Sequence, residues 1–219
     1  MFQFLLKIFL SILSLFGFGS AKGFEQELCI NDVTIRIVKG DITHQNDVGA
    51  IVNAANERLL AGGGVCGAIF AKAGKSLTRE CDKIIKNFKV RKVPVGSSVI
   101  TSGGNLKQNI IHVVSPNFNP YNSMQKHVAF DANGKNLMAQ SYTGVLQLAE
   151  KKGIAKVAIP FLSGGNFCRK FSDRNELTKI ALDTVIDFCN KNAKNGILKE
   201  VRFVLYSDSD FNLFVNALN

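Results

Sequence analysis

Four short apolar runs constrain this chain more than any other feature: "AIVNAA" (residues 50–55), "NIIHVVSP" (109–116), "KVAIPFLSGG" (156–165) and "EVRFVLYS" (200–207). Each is rich in β-branched or aliphatic residues and stops at a polar or turn-forming residue, the pattern of strands buried on both faces. Longer amphipathic stretches separate them and predict helices over about Gly64 to Ala73, Ser76 to Asn87, Asn136 to Lys152 and Asn175 to Lys191. Strands alternating with helices imply a central sheet covered on both sides, a three-layer α/β/α domain. "LCINDVTIRIVKGD" adds a strand or a hairpin about Asn31-Asp32 that ends at Gly40, and "SSVITSGG" adds another strand. Residues 117–134 read as loop, and "SDFNLFVNAL" as a final helix capped by Ser207 or Asp208. A chain of 219 residues is long enough for one domain with a substantial core.

The first 21 residues stand outside that pattern. Lys7 is their one charge, an uncharged apolar run follows it, and Gly19-Ser20-Ala21 supplies small residues where a signal peptidase cuts. The run is short against the roughly 20 residues of a membrane span. The expected division is therefore an export signal over residues 1–21, with a retained membrane anchor as the alternative, and a folded domain over 22–219. The protein is then exported or secreted, and meets a membrane only through this segment.

In doubly covered sheets, ligands bind beyond the carboxyl ends of the strands. Gly62-Gly63-Gly64 lies there, directly before a predicted helix whose unpaired N–H groups and positive dipole end can seat a phosphate. Ser163-Gly164-Gly165-Asn166 offers a second seat after its own strand, and two seats fit a diphosphate. Either loop also serves as a plain tight turn. Asp41, just past a strand, can accept a hydrogen bond from a nucleobase amino group or can cap a turn. Tyr206 can stack a base and Phe167 can cover a sugar, or both can belong to the core. A formal charge of +10 favours anionic partners. The cations from Lys72 to Lys92, with only Phe88 among them, read as a solvated face rather than a nucleic-acid groove. Five cysteines at irregular spacing indicate neither a disulfide framework nor a metal site. His112, inside a strand, reads as a core histidine.

The stretch "VKGDITHQNDVGAIVNAANERLLAGGGVCGAIFAKAG" resembles the signature of the macrodomain family: G-D-I-T, N-A-A-N, and a glycine triplet followed by Val. "VGSSVITSGGNL", "IIHVVSP" and "KVAIPFLSGGNF" follow in the family's order, so the resemblance runs from about Val33 to Tyr206. It implies a three-layer α/β/α fold with a mixed sheet that binds ADP-ribose and needs no cofactor or metal. Asp41 would hold the adenine amino group, Ile42 would line the base pocket and Tyr206 would cover the ring. Gly62, Gly63, Gly64 and Val65 would lie along the diphosphate and distal ribose, with Ser163, Gly164, Gly165 and Asn166 on the other side. Phe167 would pack on the distal ribose and Asn56 would hydrogen-bond it. The chain departs from the family pattern at Asn166, Cys168 and Ser115.

The family contains ADP-ribosyl hydrolases and non-catalytic readers. One hydrolytic branch has Asp where this chain has Cys66, and a thiol of ordinary pKa is no general base. Viral-type hydrolases resemble this chain in carrying a small residue there, and orient water through the substrate's phosphate. The resemblance thus implies either a hydrolase that removes mono-ADP-ribose from proteins or deacetylates O-acetyl-ADP-ribose, with Asn56 as catalytic residue, or a reader. A basic nucleic-acid-binding domain is the weaker alternative.

Overall fold

The computed structural model describes residues 25–89, 91–192 and 196–218; the expected export segment lies outside them. Seven strands form one mixed sheet: β1 (Glu25–Ile30), β2 (Val33–Lys39), β3 (Ala50–Ala54), β4 (Ser98–Thr101), β5 (Asn109–Val113), β6 (Lys156–Ile159) and β7 (Glu200–Leu205). Their order is β1-β2-β7-β6-β3-β5-β4. The five inner strands are parallel, and β1 and β4 close the edges antiparallel to β2 and β5.

The helices are α1 (Gly64–Ala73), α2 (Lys75–Asn87), α3 (Ala132–Lys151), α4 (Arg174–Asn192) and α5 (Asp208–Leu218). Alternation along β3 shows why its run is continuously apolar. Ala50 and Val52 join the core with α3, α4 and α5, while Ile51 joins the core with α1 and α2. Helix α1 buries Cys66, Ile69, Phe70 and Ala73, the i, i+3, i+4, i+7 stripe of an amphipathic helix. On the other face the rings of Tyr142, Phe203, Phe214 and Phe161 contact one another in sequence, at centroid spacings of 6.1, 5.0 and 5.0 Å. That chain of rings anchors α3 and α5 to the sheet.

Two boundaries sharpen the sequence reading. Residues 25–39 form the hairpin, with Asn31 in the left-handed region at φ 52°. Helix α3 begins at Ala132, earlier than expected, because the Asp131 carboxylate caps it by accepting from Gly134 N at 2.9 Å. Ser207, rather than Asp208, caps α5 through Oγ, which accepts from Asp210 N at 3.1 Å.

The amino ends of β6 and β7 meet Asp47 and the β2 residue Arg36. Charges fill that area. Arg202 forks onto Asp47 at 2.7 and 2.8 Å and onto Glu200 at 2.6 Å, while Glu200 also faces Lys156 and Arg36 at 3.8 and 4.0 Å. Arg36 continues the row to Glu25 and Glu27.

Candidate functional site

Strands β2 and β7 are tied at their carboxyl ends by Gly40 N donating to Leu205 O at 2.9 Å, which sets Asp41 beside Tyr206. Asp41 caps a single 3-10 turn, Ile42–His44, and its Oδ1 accepts from both Thr43 N and Thr43 Oγ1 at 2.8 Å. Burial alone would raise its pKa, but the two Thr43 hydrogen bonds outweigh burial and hold the carboxyl below its usual range. The group is an ionised acceptor whose Oδ2, among the described residues, meets only His44 Nδ1, at 3.6 Å. Both readings of Asp41 therefore coexist: one oxygen caps the turn, and the other is left for a donor. Ile42 is buried in the α1-side core. Tyr206, just past β7, is 82% exposed.

Beyond β3, Asn56 organises the first glycine loop. Its Oδ1 accepts from Arg58 N and Leu60 N at 3.2 and 3.1 Å, and its Nδ2 donates to Leu60 O at 2.7 Å. These three bonds hold Leu59 in the left-handed region at φ 53°. Asn56→Ala should cost about 1–3 kcal/mol of folding stability by orphaning those groups, read as a lower urea midpoint.

Helix α1 starts at Gly64 (φ 57°) from Gly63, and no side chain caps it. Its first N–H groups, at Gly64, Val65 and Cys66, have no partner within the helix. Gly67 lets the loop lie flat on the helix, since a Cβ there would stand 2.5 Å from Gly62 O. The Cys66 thiol is 5% exposed and donates to Leu60 O at 3.6 Å. Burial pushes its pKa up, and contacts to Gly62 and Asn53 offset this only in part, so the sulfur is a neutral thiol at pH 7.

The second glycine loop leaves β6 with Ser163 in the left-handed region at φ 54°, pinned by its Oγ donating to Pro116 O at 2.7 Å. Gly164 lies against the Phe161 ring, with no room for a side chain, and Gly165 and Asn166 are exposed. The two loops meet: a Cβ on Gly63 would lie 3.6 Å from Asn166 Nδ2. Phe167, half-buried next in the chain, accepts at its carbonyl from Phe118 N at 2.9 Å.

Sequence reading passed over the buttress of this junction. The loop over residues 117–128 donates to Asn166 O from Asn119 and Asn122 Nδ2 at 3.0 and 3.4 Å, and sets Met124 Cε 3.1 Å from a Cβ on Gly62. Its signal was the density of asparagines, whose amides bond their own turns. Phe171, 74% exposed with Arg174 stacked 5.1 Å from its ring, is a further missed aromatic beside Phe161.

The structure thus places Asp41, Tyr206, Asn56, the glycine triplet, Val65 and residues 163–167 beyond the carboxyl ends of the parallel strands β2, β7, β3 and β6, with Ile42 buried next to Asp41. The chemistry there is a carboxylate acceptor at one end, unpaired N–H donors in the middle and a carboxamide at the other. His112 stays apart as a core residue, with Nδ1 3.1 Å from Asn53 Nδ2 and Nε2 2.9 Å from Thr101 Oγ1. Among the described residues no group of three His, Cys, Asp or Glu side chains could hold a metal ion. All five cysteines are free.

The macro domain family model matches residues 52–177, more than half of the chain. The chain belongs to the macro domain family. This macro domain is 37% identical over 188 residues to a macro domain-containing protein of Listeria monocytogenes, covering 84% of this chain and 97% of the relative. It is 36% identical over 185 residues to an O-acetyl-ADP-ribose deacetylase of Citrobacter koseri, covering 84% and 94%. Among solved structures, the Oceanobacillus iheyensis macrodomain with ADP superposes with a TM-score of 0.77 at 34% identity, over 89% of this chain and 95% of that one. The macro domain fold expected from the glycine loops and the N-A-A-N run is the one the chain adopts.

Proposed function

We propose that this macro domain binds ADP-ribose in the crevice. The observation that carries the reading is the junction of the two glycine loops over the uncapped start of α1, opposite an ionised Asp41. Unpaired backbone donors at a helix N-terminus suit a diphosphate. Asp41 Oδ2 takes the adenine amino group, Tyr206 covers the ring, and Phe167 and Asn56 bracket the distal ribose. Similarity to a protein with ADP bound supports the same reading.

Similarity to an O-acetyl-ADP-ribose deacetylase supports a second step, hydrolysis at the distal ribose of O-acetyl-ADP-ribose or of mono-ADP-ribosylated protein. The chain contributes no base through Cys66, whose thiol stays protonated. Catalysis here would rest on Asn56 and the substrate's own phosphate to orient water. A non-catalytic reader releases no product from mono-ADP-ribosylated protein, and that assay separates the two. Residues 1–21 support export of the domain, which a trimmed N-terminus in the extracellular fraction would establish.

Calorimetric titration with ADP-ribose tests binding. Asp41→Ala should weaken affinity about 30- to 150-fold, the 2–3 kcal/mol of one hydrogen bond to a charged acceptor. Asp41→Asn keeps an acceptor for Thr43 but loses the charge, so it should restore folding stability without restoring affinity. No heat from the unaltered protein sinks the proposal.

A further inference from the structure

Past Asn56, on the β5 side of the crevice, lies a cavity of about 350 Å³. It falls at the small end of ligand pockets, roughly 300–1,000 Å³. Sheet order places it at the opposite end from Asp41, since Asp41 follows β2 and the wall residue Gln125 is bonded to Ser115 just beyond β5. Asn56 lines it, and Met124, another wall, packs on Gly62. The cavity is therefore continuous with the distal-ribose end of the proposed site, where whatever is attached to that ribose must emerge.

Its lining has a definite chemistry. Arg58, Lys92 and Lys126 face a single carboxylate, Glu57, which pairs with Lys92 at 3.4 Å. Among the described residues, the Arg58 guanidinium and the Lys126 ammonium have no hydrogen bond or ion pair. Leu60 and Met124, each 49% exposed, add apolar surface between the charges. Gln125 is 4% exposed and fixes this wall, with its Nε2 donating to Ser115 O at 2.8 Å.

An occupant must bring negative charge and some apolar surface. A polypeptide segment with acidic side chains has both. A phosphodiester strand brings the charge but leaves Leu60 and Met124 uncovered along its backbone. We infer that this cavity is the subsite for the polypeptide bearing the ADP-ribose, and that it selects modification sites flanked by acidic residues. The inference rests on the ADP-ribose reading and adds to it the class of partner.

Two synthetic decapeptides carrying the same ADP-ribosylated side chain, one flanked by glutamates and one by glutamines, test it with the full chain. Exposed ion pairs are worth about 0.2–1 kcal/mol each, so two cations should give the glutamate peptide roughly tenfold tighter binding. That preference should shrink with added salt. The double variant Arg58→Gln, Lys126→Gln should bind the two peptides equally and keep its affinity for free ADP-ribose. Free ADP-ribose binding with equal affinities for both peptides in the unaltered protein overturns this inference alone. Failure of free ADP-ribose to bind overturns the functional reading beneath it. A preference for an ADP-ribose oligomer over the glutamate peptide, lost in the same double variant, reassigns the cavity to phosphodiesters and also overturns it.

Discussion

Arg202→Met costs about 3–5 kcal/mol of folding stability, the loss expected when one partner of a buried ionic network is removed. The guanidinium is 7% exposed and satisfies Glu200, itself 8% exposed, together with Asp47 and Gln45 Oε1. Methionine fills the volume but leaves Glu200 facing Lys156 and Arg36 at about the limit of contact. It also releases the Gln45–Asp47 segment, whose Gln45 Nε2 donates to Asp41 O at 3.2 Å. Urea unfolding reads the stability loss, and ADP-ribose titration should show weaker binding, since the turn carrying Asp41 loses its clamp. The same network is acid-sensitive. Hydrogen bonds from Arg202 hold the Asp47 carboxyl down at about 2 against an ordinary 3.8. A depressed carboxylate stabilises the fold above its unfolded pKa, and that share fades as pH falls from 3.8 toward 2. In Arg202→Met this window should close.

Acidification acts earlier through His112. Burial pushes its pKa from 6.5 down to about 4, because a cation in the core loses its water, and the Glu80 carboxylate offsets this only in part. Asn53 Nδ2 donates to Nδ1, so Nε2 carries the single proton and donates to Thr101. Between pH 6.5 and 4 the unfolded chain binds more protons than the folded one, so stability falls as pH falls. The loss reaches about 3 kcal/mol at pH 4. Urea unfolding from pH 7 to pH 4 should show this slope, and His112→Gln should flatten it. An unchanged slope in the variant assigns acid sensitivity elsewhere.

The layers of the fold were legible because burial on both faces leaves no polar alternation in β3, β5, β6 and β7, and length then separates strand from helix. Helix α1 was readable to its ends, since Gly63 and Gly74 bracket a clean apolar stripe. The start of α3 was not, because Gly134 inside its first turn resembles a loop residue until its close approach to Ala129 is seen. At the site, Asp41 and the glycine loops stood out because their chemistry depends on local sequence. Asn56 was expected from the sequence as a ligand group, whereas its role as organiser of its own loop appears only when its amide meets Leu60 and Arg58. The cavity past Asn56 was illegible for a different reason: it is assembled from residues 56–61, Lys92 and residues 123–126, segments that only the tertiary fold brings together.

Strand β7 sits between β2 and β6, so among the described residues the β1–β2 hairpin joins the rest of the sheet only through β7. A ribosome must deliver the chain through Leu205 before those six residues can bridge the two parts. Pairings that distant in sequence are slow to close, because the entropy of a long loop is lost before the contact forms. The crevice is built across the same bridge, with Asp41 on the hairpin side and Asn56 on the other. Truncation before Glu200 would leave Asp41 and Asn56 on different pieces of sheet, so the proposed site forms all-or-none with the pairing of β7.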